Sequence, residues 1–210
     1  MSEILHIHPE SPQARLISRA AEAVREGSVV IYPTDTSYAL GCRIGEKTAL
    51  DRIRAIRHLD ERHNFTLACR DLSDIATYAK VDNQNYRLLK AYTPGPYTFI
   101  LPATRQVPRM LQHPKRKTIG IRIPQHAITM ALLEELGEPL MTTSLILPED
   151  DYPLRDLEEI QERLGRQVDL IIDGGVPGSL ESSTVVDLAE GPPRVLRRGA
   201  GDPAPFETSR

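Results

Sequence analysis

Ser28-Val29-Val30-Ile31-Tyr32-Pro33-Thr34-Asp35-Thr36-Ser37-Tyr38-Ala39-Leu40-Gly41-Cys42 decides how the rest of the chain is read. Val29 to Tyr32 is apolar without alternation, the pattern of a strand buried on both faces. Tyr38 to Cys42 reads as a second strand. Pro33 lacks an N–H and fixes φ, so it ends the first ladder. Between the strands one carboxylate, Asp35, sits among the hydroxyls of Thr34, Thr36 and Ser37. Such hydroxyls can satisfy a turn by themselves or hold a polar ligand. The loop alone does not choose between these.

Outward from this pair, helices and strands interleave. Upstream, Ser11 is expected as an N-cap with Pro12 at the first helical position. Leu16, Ile17, Ala20, Ala21 and Val24 then recur at helical spacing until Gly27. Downstream, a helix is expected from Glu46 to about Leu59, with Ala49, Ile53 and Ile56 on one face and Arg52, Arg54 and Arg57 elsewhere. A polar loop, residues 60–64, leads into a strand at Phe65–Cys69. Helices follow near 71–79 and 82–91, the second capped by Asp82. Beyond the Thr93-Pro94-Gly95-Pro96 break come strands at Tyr97–Leu101 and Thr118–Ile123. Alternation in the latter places Arg122 opposite Ile121 and Ile123. A helix over 126–136 ends at Gly137, a strand at Leu140–Ser144 ends in hydroxyls, and helix 156–165 is acidic and exposed. About eight strands with interspersed helices imply an α/β or α+β fold around a large mixed sheet. One domain is expected over 1–205. The chain after Gly199 is expected to fray, with 206–210 as a tail.

The chain has 210 residues, 40% of them hydrophobic, which is ample for one sizeable core. No stretch approaches the ~20 apolar residues of a membrane span. Met1-Ser2-Glu3-Ile4 is not followed by the basic and apolar regions of a signal peptide, so a cytoplasmic location with no membrane partner is expected. Cys42 and Cys69 both fall in expected buried strands, which points to packing rather than a disulfide or a metal site. The net charge of −3 excludes polyanion binding by bulk charge. Basic residues nevertheless cluster over 52–70 and over 105–122, which suggests a local anion site. For any single arginine, a solvated surface is the simpler reading.

Several expected strands end in hydroxyls or arginine: Thr34 and Thr36, Thr118 and Arg122, Thr142 to Ser144, Ser183 and Thr184, and Arg197. Ligands of open sheets bind beyond strand ends, so these groups can converge on one cleft. Hydroxyls with arginines suit phosphate and carboxylate groups. No nucleophile elbow, phosphate loop or metal-ligand spacing is present. A nucleotide site of this kind works by positioning and charge neutralisation.

Five segments in order carry a specific likeness: Val30-Ile31-Tyr32-Pro33-Thr34-Asp35-Thr36, Pro94-Gly95-Pro96-Tyr97-Thr98, Thr118-Ile119-Gly120-Ile121-Arg122-Ile123-Pro124, Ser183-Thr184-Val185-Val186-Asp187 and Leu196-Arg197-Arg198-Gly199. Through them the chain resembles the YrdC/YciO family, related to threonylcarbamoyl-AMP synthase. Arg62-His63-Asn64-Phe65-Thr66-Leu67 points to the YciO branch. The resemblance implies a YrdC/RibB-like fold, a twisted mixed sheet with flanking helices and a concave basic cleft. It also implies ATP, with Mg²⁺, L-threonine and bicarbonate as ligands, threonylcarbamoyl-AMP and pyrophosphate as products, and a link to tRNA modification. By position, Thr34 is implied near threonine, Arg122 at its carboxylate, and Ser144 and Ser183 beside it. Arg57, Thr118, Thr142 and Arg197 are implied near the nucleotide. No catalytic residue and no protein-held metal are implied.

Two departures bear on activity. The K-x-R motif of the synthases is Arg57-His58-Leu59 here, and their S-x-N motif is Ser144-Leu145-Ile146. Leucine cannot neutralise a phosphate, and isoleucine cannot replace an amide. Losing one transition-state donor costs on the order of 100-fold or more, so weak synthase activity is expected. The alternative is a double-stranded RNA or tRNA binder that uses the same basic cleft without chemistry, with Arg54, Arg62, Lys115, Arg116 and Lys117 as candidates. The stretch beyond Arg197 is too short for the extra C-terminal domain of longer relatives, so any lid is expected from the chain's own loops.

Overall fold

The computed structural model describes residues 1–60 and 62–207. The first third holds β1 (Glu3–His6), α1 (Ala14–Arg25), β2 (Val30–Pro33), β3 (Tyr38–Arg43), α2 (Lys47–Arg57) and β4 (Thr66–Ala68). Next come α3 (Leu72–Tyr78), α4 (Asn83–Tyr92), β5 (Tyr97–Pro102), β6 (Thr118–Arg122), α5 (Ala127–Leu136) and β7 (Leu140–Ser144). The chain closes with α6 (Leu157–Leu164), β8 (Leu170–Asp173), β9 (Thr184–Asp187) and β10 (Arg194–Arg197). The ten strands form one mixed sheet in the order β1-β8-β2-β3-β7-β4-β6-β5-β9-β10.

Local chemistry explains most boundaries. Asp71, Asp82 and Asp156 each accept a backbone N–H from the first turn of α3, α4 and α6. α1 starts at Ala14 rather than Pro12 because the His8 ring takes the N–H groups of Glu10 and Ser11. That holds Ser11 in a loop and leaves Gln13 as the cap residue. α2 stops at Arg57, short of Leu59, where His58 turns left-handed at φ 50°. α6 is acidic, but not wholly exposed: Ile160 and Leu164 are buried. The segment after Gly199 does not fray. It ends in a 3₁₀ turn, Ala204–Phe206, whose Phe206 is buried against Tyr92, Tyr97 and Phe99. Residues 208–210 of the expected tail lie outside the described residues.

β1, β2, β3, β4, β7 and β8 contribute side chains to both of two cores, while β5, β6, β9 and β10 contribute to the first alone. Tyr38, Leu40, Leu67, Phe99 and Ile121 face a core shared with Leu50 and Ile53 of α2 and Leu89 of α4. Tyr32, Ala39, Ala68 and Leu140 face the other core, covered by α1 and α5 through Ile17, Ala21, Leu132 and Leu133. On that second face the covering helices stop part-way along. Leu140 lies under them, while Thr142 and Ser144, the next residues of the same face, line a cavity. Ala68 and Thr66 of β4 make the same change.

The sheet must curl over this cavity. Seven consecutive strands, β3 to β10, give it lining residues. Six flat strand spacings span roughly 29 Å, and side chains spread that far on a flat sheet would not line one shared cavity. The link from Asp173 to Thr184 joins the second strand of the order to the ninth. Part-way along it, the Ser179 N–H donates to the Thr36 carbonyl at 3.3 Å.

Candidate functional site

The Pro33–Ser37 turn satisfies itself. The Thr34 hydroxyl donates to the Ser37 carbonyl at 2.6 Å and accepts from the N–H groups of Thr36 and Ser37 at 3.2 and 3.3 Å. Its hydroxyl is therefore fully used, and Thr34 stands behind the wall of the cavity, where Ser37 is the turn residue exposed to it. The turn's other product is a seat for Arg122. That guanidinium pairs with the Asp35 carboxylate and donates to the Thr36 hydroxyl at 3.0 Å. The side chains of Arg122 and Asp35 are only 9% and 11% exposed. Asp35 Oδ2 and Arg122 Nε are buried without protein partners, so this corner keeps hydrogen-bonding capacity in reserve.

Across the cavity the arginines are held differently. Arg57, at the last turn of α2, donates from Nε to the Ile146 carbonyl and from Nη1 to the Thr143 hydroxyl, both at 2.6 Å. Arg197 on β10 grips the Ser183 carbonyl from Nε and Nη2 at 3.2 and 2.8 Å. The Ser183 hydroxyl pairs with that of Thr98 at 2.7 Å. Neither Arg57 nor Arg197 has a carboxylate partner among the described residues. Burial and the nearby Arg197 push the Arg57 guanidinium down to about 10. Arg197 is lowered by burial and by Arg122. Crowded cations that lack counter-charges favour an anion between them.

Of the residues singled out in the sequence, Arg57, Arg122, Thr142, Ser144, Ser183 and Arg197 line this one cavity. Thr118 does not. It lies on the same strand face as Gly120 and Arg122 but two residues further out, buried, with no partner for its hydroxyl. Gly120 makes the floor: a Cβ there would lie 2.6 Å from the Thr66 hydroxyl, so only glycine lets β4 and β6 approach this closely. Thr143, within the expected hydroxyl run from Thr142 to Ser144, lines it too, whereas residue-type reasoning missed Thr98, His63 and Asn64. The His63 ring meets Phe65 edge-on at 5.1 Å. Burial first, then Arg57, pushes its imidazole down to about 4, so it is neutral at ordinary pH. The polar run Arg62-His63-Asn64 was the available signal, although it carries no periodicity.

The RNA candidates are scattered. Arg62 and Lys115 meet in one shallow surface groove with Asp60 and Pro114. Lys117 is exposed. Arg116 pairs with Asp187 at 2.9 Å. Arg54 lies over the Phe65 ring, 5.2 Å from its centre, and donates to the Met110 carbonyl. Those last two are occupied within the protein.

With this geometry in view, comparison with known proteins identifies the fold's relatives. The Sua5/YciO/YrdC family model, described as telomere recombination, matches residues 22–199. The chain belongs to the Sua5/YciO/YrdC family. The crystal structure of Escherichia coli YciO superposes with a TM-score of 0.96 at 55% identity, covering 99% of this chain and 100% of that one. Threonylcarbamoyl-AMP synthase of Chromobacterium violaceum is 33% identical over 190 residues, 90% of this chain and 96% of that protein. Sua5 of P. abyssi complexed with L-threonine gives a TM-score of 0.87 at 29% identity, covering 94% of this chain and 58% of that one. The E. coli YciO sequence, at the same 55% identity, is named an uncharacterized protein.

Proposed function

We propose that this chain is a threonylcarbamoyl-AMP synthase-like enzyme of low activity, acting on ATP, L-threonine and bicarbonate in a route to modified tRNA. One observation carries the reading: Arg57, Arg122 and Arg197 enter a single hydroxyl-lined cavity from three different elements. Arg122, fixed by Asp35 and Thr36, suits an amino-acid carboxylate. Arg57 and Arg197 suit phosphate oxygens. The amine attacks carbon of bicarbonate to give a carbamate with loss of water. A carbamate oxygen then attacks the α-phosphorus, and pyrophosphate leaves. The chain's part is to hold the reactants together and neutralise charge. Mg²⁺ would arrive with the nucleotide. Among the described residues no group of three or more His, Cys, Asp or Glu side chains could hold a metal, so no step is assigned to a resident metal.

The motif departures support a slow rate. Leu59 packs against the core and gives no charge to the cavity, and Ile146 offers Arg57 only its backbone carbonyl. The test is pyrophosphate release with ATP, L-threonine and bicarbonate, omitting each in turn. Release that needs both co-substrates is the expected result. Release independent of threonine would overturn the reading.

The groove shared by Arg62 and Lys115 favours a second reading, RNA bound along the rim. Its mark is affinity that falls steeply with salt and is lost in Arg62→Glu/Lys115→Glu while nucleotide binding stays.

A further inference from the structure

His63 is the one cavity-lining side chain, among the described residues, of a type whose unperturbed titration lies near neutral pH. It enters from the loop after α2 and its Nε2 lies 3.5 Å from the Thr143 hydroxyl. That hydroxyl already accepts from Arg57 Nη1 at 2.6 Å. Its own proton is therefore free to point at His63 Nε2, which suits an imidazole carrying its proton on Nδ1. The charged groups facing His63 are Arg57 and Arg54 of α2, Arg197 of β10 and Asp60 of its own loop. Arg54 has a partial counter-charge in Asp51 at 3.6 Å, and Arg57 and Arg197 have none among the described residues. Among the described residues, protein groups alone thus disfavour an imidazolium at this place.

We propose that a multiply charged oxyanion binds between Arg57, Arg197 and His63 with uptake of one proton at His63 Nε2, so that pH sets its affinity. The inference rests on the reading of the cavity as an anion site and adds the group that regulates it. An oxyanion seated against both guanidiniums removes the repulsion and offers Nε2–H an acceptor. The Thr143 hydroxyl then turns away, since Nε2 has become a donor. Protonated His63 supplies the second mobile cation that Leu59 cannot. The sign follows from the two states. The bound form holds its proton to higher pH than the free form, so affinity rises as pH falls between those limits, by up to about tenfold per pH unit. Phosphate-rich ligands gain most, because they carry the most charge into the space.

The experiment is calorimetric titration of the full chain with sodium sulfate, which does not itself titrate in this window. It is run near pH 6.5 in two buffers of different ionisation enthalpy, with the wild type and His63→Gln. The wild type should take up a large fraction of a proton per sulfate and bind more tightly as pH falls. His63→Gln should lose both effects and bind sulfate within about threefold of the wild type at about pH 8.5, where the imidazole is neutral in either case. If His63→Gln misfolds, the His63 ring resonance of the wild type, followed by NMR with and without sulfate, gives the same answer through an upward shift of its titration. Sulfate binding with equal proton uptake in both proteins, or with no shift at His63, overturns the role of His63 alone. No sulfate binding by the wild type overturns the anion site with it.

Discussion

Arg122 and Arg57 face the same cavity and are built into the protein in opposite ways. Arg122 is locked to a buried carboxylate and its charge is balanced before any ligand arrives. Arg57 is held by a carbonyl and a hydroxyl, and its charge is not balanced. The first corner is part of the fold's own electrostatics, and ligand binding there exchanges or extends hydrogen bonds. The second corner is a charge surplus that the fold tolerates and a ligand relieves.

The largest expected effect tests the first half of that contrast. Arg122→Ala strands Asp35 in the interior, and breaking such a pair costs about 3–5 kcal/mol, to be read from urea unfolding. Arg57→Ala strands no charge and should cost below about 2 kcal/mol, while weakening sulfate binding by tenfold or more. Equal losses of stability in the two variants would erase the distinction. Next in size, Gly120→Ala pushes a methyl into the Thr66 hydroxyl and should cost about 1–3 kcal/mol, with both corners weakened together because they share that floor.

A smaller effect sharpens the second half. His63 titrates near 4 in the folded chain and near 6.5 when unfolded. Between those values the unfolded state binds more protons, so stability rises with pH from about 4 to about 6.5. Denaturant titrations across that window should show a flatter dependence in His63→Gln, and in the wild type with sulfate. Least of all, Ile146→Asn, which returns an amide beside Arg57, should raise any synthase rate modestly in the pyrophosphate assay. An unchanged rate would locate the limit elsewhere in the cavity.

Much of this arrangement was legible from residues. Apolar β-branched runs marked the strands, and Asp82 announced its helix as a cap. Five of the six cavity residues found in advance, Arg122, Thr142, Ser144, Ser183 and Arg197, fall in runs where strands close in hydroxyls or arginine, while Arg57 was implied by the family resemblance alone. What escaped depended on which partner a polar group takes, sometimes within its own turn, and on how distant segments assemble. Nothing near Ser11 reveals that the His8 ring will take its N–H. Thr34 and Thr118 resemble the true lining residues by type, but one spends its hydroxyl on its own turn and the other lies too far along β6. His63 and Asn64 occupy an aperiodic loop, so only the assembled sheet brings them to the cavity.

The Asp173–Thr184 link acts as a strap of fixed length. It spans eleven Cα steps, at most about 36–40 Å when taut, and must cross seven strand positions, about 34 Å if laid flat. The taut reach barely exceeds the flat distance, so bends such as the one at Gly175, with φ 86°, hold β8 and β9 closer together than a flat sheet would. Added residues would slacken the strap and let the bowl open; removed residues would tighten it. The volume available to a ligand can thus be retuned without altering one side chain that touches it, and such a surface loop is where length changes are best tolerated.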